Sequence, residues 1–266
     1  MPAIRTAIHG AAGRMGQRLV ALGSADHELT IAAALERSGH PRLGEDAGSV
    51  ANCPVLGVKL ADRLSGPVDV MIDFSTPAGS MAALETCLKE KIPLVLATTG
   101  FDAAQTERIR AASRELALLW APSMSLAVNL AMKLSGLAAE ALCDHSTGAD
   151  VEIIERHHRF KEDAPSGTAL KFGEIIASRM GLDRAQHGRE GRIGARPRGE
   201  IGYHAVRAGD NPGEHTILFG LLGESLEINV RASNRDCYAY GALAAAKFLA
   251  GKPAGPYGMG AVLGLY

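Results

Sequence analysis

The sequence predicts an α/β protein: a parallel sheet with helices on both faces in the first half, then a smaller α+β unit with a mixed sheet. Three observations carry this. Short apolar runs alternate with helix-length segments up to Trp120, a glycine-rich turn follows the first run, and beyond Leu142 the strand-like segments alternate polar with apolar residues.

Thr6–Ile8 is the first apolar run and Arg14–Gly23 the helical pattern behind it. Runs at Leu29–Leu35, Val68–Phe74, Pro93–Thr98 and Leu116–Trp120 follow, with helical patterns at Gly79–Lys89 and Ala103–Glu115. Strands buried on both faces read as continuous apolar runs of this kind. From Ser125 a helical pattern reaches about Leu142. Glu152–His158, Glu200–Ala208, His215–Leu222 and Ser225–Ala232 are then strand-like, linked by glycine-rich turns, as in a mostly antiparallel or mixed sheet with one exposed or interface face. A helix is expected from Ala169. The stretch Gly181–Gly199 carries Arg184, Arg189, Arg192, Arg196 and Arg198 among glycines and a proline, and reads as a long loop. Cys237–Leu249 is an alanine-rich last helix, expected to pack back on the first half.

With 266 residues, 47% hydrophobic and 21% charged, the composition is that of a folded chain. A net charge of −1 supplies no basic field for nucleic acid or an anionic membrane, so an anionic ligand must be held by a local cluster. The longest uncharged stretch, Leu116–Met132, contains Pro122, Ser123, Ser125 and Asn129 and is short for a bilayer span. The start lacks a basic region followed by a long apolar one, so no secretory signal is expected. Cys53, Cys87, Cys143 and Cys237 show no metal-ligand spacing, which favours reduced thiols and a cytoplasmic location.

Gly10-Ala-Ala-Gly13-Arg-Met-Gly16 lies between a predicted strand and a predicted helix. Such a turn either merely closes strand onto helix or lets backbone N–H groups approach a pyrophosphate. Glu36, at the end of the second predicted strand, has the spacing of an acid that accepts from ribose hydroxyls, and this favours a dinucleotide site. Arg37, with Arg14, can pair with a ribose 2′-phosphate. Thr98-Thr99-Gly100 ends another strand, at the edge where open parallel sheets bind ligands, and is alternatively an ordinary capped turn.

The stretch from Val151 to Thr168 concentrates the chemistry. Adjacent strand residues point to opposite faces, so His157 and His158 share a pocket only if the chain turns there, and Phe160–Pro165 supplies a turn that brings Lys161 back. Ser166-Gly167-Thr168 precedes a helix whose first turn offers N–H donors to a carboxylate. Singly, each residue also fits a strand end, a solvated charge or a helix cap; together around one turn they fit proton transfer to an anionic substrate. Metal binding fits poorly, because Lys161 repels a cation and no HExxH-type spacing occurs.

Gly10–Gly16, Ala34-Leu-Glu-Arg37, Thr98-Thr-Gly-Phe101, Glu155-Arg-His-His-Arg-Phe-Lys161, Asp163-Ala-Pro-Ser-Gly-Thr168, Val206-Arg-Ala-Gly-Asp210 and Gly213-Glu-His-Thr216 together resemble the 4-hydroxy-tetrahydrodipicolinate reductase family. The resemblance implies a Rossmann domain at 1–124 and 235–266, and a substrate and tetramerisation domain at 125–234. It implies NADH and/or NADPH as cofactor, a small dicarboxylate substrate of the diaminopimelate route to lysine, and a homotetramer. By motif position, Gly10, Ala11, Ala12, Gly13, Arg14 and Met15 hold pyrophosphate, Glu36 holds ribose and Arg37 the extra phosphate. Ala97, Thr98 and Thr99, with Ala121, Pro122, Ser123 and Met124, complete the cofactor set; Ala97 stands where relatives usually carry Gly, and Ala121–Met124 replaces an Ala-x-Asn-Phe pattern. His157 is implied as acid/base, Lys161 as proton donor, and His158, Gly167 and Thr168 as carboxylate ligands. Sugar dehydrogenases of similar layout carry a Glu-Lys-Pro that is absent here, and retention of His157 and Lys161 argues against a non-catalytic dinucleotide sensor.

Overall fold

The computed structural model describes residues 2–144 and 148–265. They form two compact units, Met1–Leu126 with Asp236–Tyr266, and Ala127–Arg235. In chain order the elements are β1 (Ile4–His9), α1 (Arg14–Ser24), β2 (Leu29–Leu35), α2 (Ala47–Val50), β3 (Leu60–Ala61), β4 (Val70–Asp73), α3 (Pro77–Glu90), β5 (Leu94–Leu96), α4 (Ala103–Ala112) and β6 (Ala117–Trp120). There follow α5 (Leu126–Leu142), β7 (Asp150–His157), α6 (Gly167–Met180), β8 (Arg184–His187), β9 (Glu200–Arg207), β10 (Glu214–Gly220), β11 (Ser225–Arg231), α7 (Asp236–Leu249), β12 (Gly255–Tyr257) and α8 (Met259–Val262).

The first unit holds a seven-stranded, wholly parallel sheet in the order β12-β6-β5-β4-β1-β2-β3. Successive residues explain why its strands are apolar throughout. Ile8, Ile72, Val95 and Leu119 pack with Leu19 and Val20 of α1 and Ala242 and Ala246 of α7. Ala7, Met71, Leu94, Leu96 and Leu118 pack on the other face, with Leu84 of α3 and Ile109 of α4. This is the doubly wound, Rossmann-type arrangement. The strand order reverses between β1 and β4, so the loops after those strands flank the crevice where such sheets take ligands.

In the second unit five strands run β11-β10-β7-β9-β8. Pairs β7–β9 and β8–β9 are parallel, while β10 runs antiparallel to β7 and β11, so the sheet is mixed. One face buries Val151, Ile153, Ile201, Tyr203, Ile217 and Phe219 against Phe172 and Ile176 of α6 and Val128 and Ala131 of α5. By register, Ile154, Arg156, Val206, Thr216 and Leu218 lie on the other face.

Two readings need correction. The stretch Gly181–Gly199, read as loop throughout, contains β8, an edge strand whose Arg-Ala-Gln-His has no apolar periodicity and which forms by parallel pairing with β9. Pro93–Thr98 shortens to Leu94–Leu96, because Thr98 belongs to the turn that follows. The short elements α2, β3, β12 and α8 gave no sequence signal. Among the described residues no helix is long and apolar enough to cross a membrane, and no cluster of three His, Cys, Asp or Glu side chains is placed to hold a metal ion.

Helix α7 packs into the first unit at backbone distance: a Cβ at Gly241 would collide with the Met124 carbonyl oxygen. Overpacking of this sort costs about 1–3 kcal/mol. Gly241→Ala should therefore lower the denaturant-derived stability by about 3 kcal/mol, with the exposed Gly66→Ala, which meets nothing within 4 Å, as the near-neutral control.

Candidate active site

In the first unit the chain leaves β1 through Gly10, at φ +79°, where a Cβ would stand 2.7 Å from the Phe74 carbonyl oxygen. The N–H groups of Gly10 and Ala11 both donate to Leu35 O, at 2.9 and 3.0 Å, and that of Gly13 to Gly10 O at 3.0 Å. Ala12 N–H donates to Glu36 Oε2 at 3.2 Å, while Glu36 Oε1 accepts from Arg37 N–H at 3.0 Å. The loop's own amides are thus largely consumed in shaping it. What remains is the N-terminus of α1, where Gly13 provides no side-chain cap and the first turn contains no acid. Such an end carries unpaired N–H donors and partial positive charge, the requirements for binding a phosphate. Arg14 and Arg37 are both exposed and enter no described ion pair. Met15 packs against the core.

At the carboxyl edge Thr98 Oγ1 donates to Asp73 Oδ2 at 2.8 Å and accepts from Ser75 N–H at 3.2 Å. Its hydroxyl therefore faces the protein, and the neighbouring Thr99 and Gly100 are the exposed members of that turn. Ala97, half-buried, donates its N–H to Asp73 O at 3.0 Å. Ala121 and Met124 are buried, Ser123 half-buried and Pro122 exposed.

In the second unit His157 closes β7, and the turn behind it is tied by Lys161 N–H to His158 O at 3.1 Å. His157 Nδ1 lies 2.5 Å from Glu155 Oε2. Sequence reasoning assigned Glu155 no role. It is 1% exposed, accepts two bonds from Arg207 at 2.8 and 2.7 Å, and accepts Ser166 N–H at 3.1 Å. One carboxylate thereby joins β7, β9 and the start of α6. Ser166 caps α6 by accepting Ala169 N–H at 3.2 Å, and its hydroxyl also meets His215 Nε2 at 3.1 Å. First-turn N–H groups at Gly167 and Thr168 have no intrahelical acceptor, and Gly167 is open: a Cβ there would meet nothing within 4 Å. A Cβ at Gly213 would come 3.0 Å from His157 Nε2, so glycine there leaves that nitrogen room. Lys161 Nζ donates to the exposed Asp163 at 2.7 Å. His158 is half-buried, and its Nδ1 has no partner among the described residues.

Burial lowers the His157 pKa; Glu155 opposes this, while Lys161 and Arg207 add to it. Burial would raise Glu155, but its bonds from Arg207 and His157 prevail and hold the carboxyl below its ordinary range. The consistent state is an ionised Glu155 paired with Arg207 and a neutral His157 whose Nδ1–H points to Glu155. That leaves Nε2 as the free acid/base atom. His215, stacked edge-on against His157 at 5.2 Å, is pushed down to about 4, first by burial and then by its neighbours.

The His215 shift has a sign that can be measured. Unfolded, the imidazole takes up a proton below about 6.5; folded, it resists until about 4. Its contribution to stability is complete above the upper value and is lost as pH falls between the two, on the order of 3 kcal/mol at most. Urea denaturation from pH 7 to pH 4.5 should show this decline, and His215→Phe should flatten it whatever that variant's absolute stability.

A family model described as dihydrodipicolinate reductase, N-terminus, matches residues 4–124, and the corresponding C-terminus model matches residues 127–263. The 4-hydroxy-tetrahydrodipicolinate reductase of Rhodopirellula baltica is 52% identical over 270 residues, spanning 98% of this chain and 96% of its own. That of Methylococcus capsulatus is 46% identical over 268 residues, spanning 98% of each. The dipicolinate-bound dihydrodipicolinate reductase from Paenisporosarcina sp. TG-14 superposes with a TM-score of 0.78 at 28% identity, over 96% of this chain and 97% of that one. An amine dehydrogenase from Mycobacterium smegmatis shares the fold alone, with a TM-score of 0.63 at 12% identity over 96% and 94% of the two chains. The chain therefore belongs to the dihydrodipicolinate reductase family, the NAD(P)H-dependent oxidoreductases named for reducing 4-hydroxy-tetrahydrodipicolinate.

Proposed function

We propose that the first unit binds NADH or NADPH, that the second binds the cyclic dicarboxylate, and that Lys161 supplies the proton that completes the reduction. The observation that carries this reading is the Glu155–His157–Arg207 cluster with Lys161 and the open start of α6 around one turn. Gly167 and Thr168 N–H groups, with His158, take a substrate carboxylate. NADH or NADPH, held by the first unit, would supply the hydride that reduces the terminal carbon of the conjugated imine formed when the hydroxylated ring loses water. The electron pair displaced toward the ring nitrogen leaves an enamine, and Lys161 delivers a proton to the carbon beside the one reduced. His157, oriented by Glu155, takes up a proton from solvent at the free Nε2 and passes it to the Lys161 amine left by that delivery. The net change is one hydride and one proton gained by the ring, giving tetrahydrodipicolinate for the diaminopimelate route to lysine.

For the cofactor, the bare α1 N-terminus takes the pyrophosphate on the Arg14 and Met15 side of the loop, and Ala97–Thr99 with Ala121–Met124 border the nicotinamide. Glu36 serves the ribose, and the exposed guanidiniums of Arg37 and Arg14 the 2′-phosphate of NADPH. The face of the second sheet opposite α5 and α6, with Ile154, Val206 and Leu218, fits the subunit contact of a homotetramer. The free cysteines fit the reducing cytoplasm.

Cofactor oxidation should appear only with freshly generated synthase product, and Lys161→Ala should lower kcat by about 100- to 1000-fold while the Kd for NADPH stays within about twofold. Full activity in that variant would remove Lys161 from the mechanism. Arg37→Ala should weaken NADPH more than NADH, and Glu36→Ala the reverse; calorimetric affinities that move together would refute both roles. Sedimentation at micromolar concentration should give four times the mass of one chain.

A further inference from the structure

The first unit contains a buried carboxylate of its own, to which no role has been given. Asp73 ends β4 and is wholly buried. Its Oδ1 lies 2.6 Å from His9 Nδ1 and accepts from Ser75 Oγ at 2.6 Å. Its Oδ2 accepts from Ser80 Oγ at 2.5 Å and from Thr98 Oγ1 at 2.8 Å. These four donors come from the end of β1, the turn after β4, helix α3 and the turn after β5.

The sheet around Asp73 is apolar, and a carboxylate in that setting is costly unless every lone pair is used, as here. A fold that needed only packing would place a hydrophobic residue at this position. The carboxylate instead sits where the strand order reverses, beneath the crevice, and binds the turns on both sides of it. His9 directly precedes the glycine loop. Thr98, fully committed by its hydroxyl, fixes the turn that presents Thr99 and Gly100 outward. The Ser75 N–H to Thr98 Oγ1 bond and the Phe74 N–H to His9 O bond, at 3.2 Å each, close the same network.

We infer that Asp73 is a positioning residue for the nicotinamide end of the cofactor, a clamp that sets the turns after β4 and β5 against the glycine loop. The inference rests on the assignment of that edge to NAD(P)H made above. A clamp of this kind acts on the part of the cofactor that reaches those turns, and leaves the adenosine half, held by Glu36 and Arg37, untouched.

The test compares NADPH with ADP-ribose 2′-phosphate, which carries the same adenosine half and no nicotinamide, by calorimetry on the full-length enzyme. Asp73→Asn is expected to weaken NADPH by about tenfold and kcat by about 100-fold. ADP-ribose 2′-phosphate should bind within about twofold of the unmodified enzyme, and KM for the dicarboxylate should hardly move. Thr98→Val removes one clamp hydroxyl at nearly constant volume and should shift the same quantities in the same direction by less, so the inference is testable even if Asp73→Asn does not fold. Equal weakening of both ligands in a folded variant, or no change in either, would overturn the clamp. Should the unmodified enzyme bind neither NADPH nor ADP-ribose 2′-phosphate, the cofactor assignment itself fails, and that is visible before any variant is made.

Discussion

The second unit is organised around one buried anion, the Glu155 carboxylate, and the arrangement of its chemistry follows from satisfying it. A carboxylate that is 1% exposed must be fully hydrogen-bonded and paired. Arg207 from β9 supplies two bonds and the charge, Ser166 N–H from the start of α6 a third, and His157 from the same strand a fourth. Because Arg207 already balances the charge, His157 need not be protonated, and burial favours its neutral form. The result is an imidazole with fixed orientation and tautomer beside a helix N-terminus. Removing Arg207 would leave that anion uncompensated and take away a charge that adds, after burial, to the lowering of the His157 pKa, so a cation on β9 contributes to the neutral state of a residue on β7.

Much of this was legible in the sequence, for a definite reason. The doubly wound sheet announced itself because both faces are covered, so Val70–Asp73 and Leu94–Leu96 could be apolar almost without interruption. The turn carrying His157, His158 and Lys161 was legible because its reactive residues are close in sequence. Glu155 was overlooked although the alternation held a sign of it. Val151 and Ile153 face the core, and the next two positions of that phase, 155 and 157, are an acid and a histidine. Polar residues in the buried phase of a strand are expensive, and a pair of them points to a site. Arg207 and His215 come from strands distant in sequence and Gly213 from the connection just before β10, and only the β7–β9 and β7–β10 registers bring them to His157.

The missed elements share a different cause. Strand β8 owes its existence to backbone pairing with β9, and its side chains alternate in no useful way. Two of the arginines that made Gly181–Gly199 look like a loop are used structurally. Arg189 bonds Glu152 and Glu200, and Arg196 bonds Glu152 and Asp150. Burial would raise the Glu152 carboxyl, but its bonds from Arg189, His204 and Arg196 hold it down to about 2. A glycine- and arginine-rich stretch can thus be ordered by ion pairs that no periodicity reports.

The carboxylate partners of His157 and Lys161 differ in a way that bears on chemistry. Glu155 is sealed in, whereas Asp163, the acceptor for Lys161, has a side chain 59% exposed. An ion pair in such a setting is worth about 0–1 kcal/mol. The Lys161 ammonium is therefore held at little cost and can be released from Asp163 at little cost. His157 could not be redirected so cheaply, because its partner is anchored by three further bonds. The site thus combines one group whose position is fixed by a buried network with another whose partner is exchangeable. That division of labour suits the role proposed for Lys161, in which the ammonium turns from the resting protein to a substrate carbon.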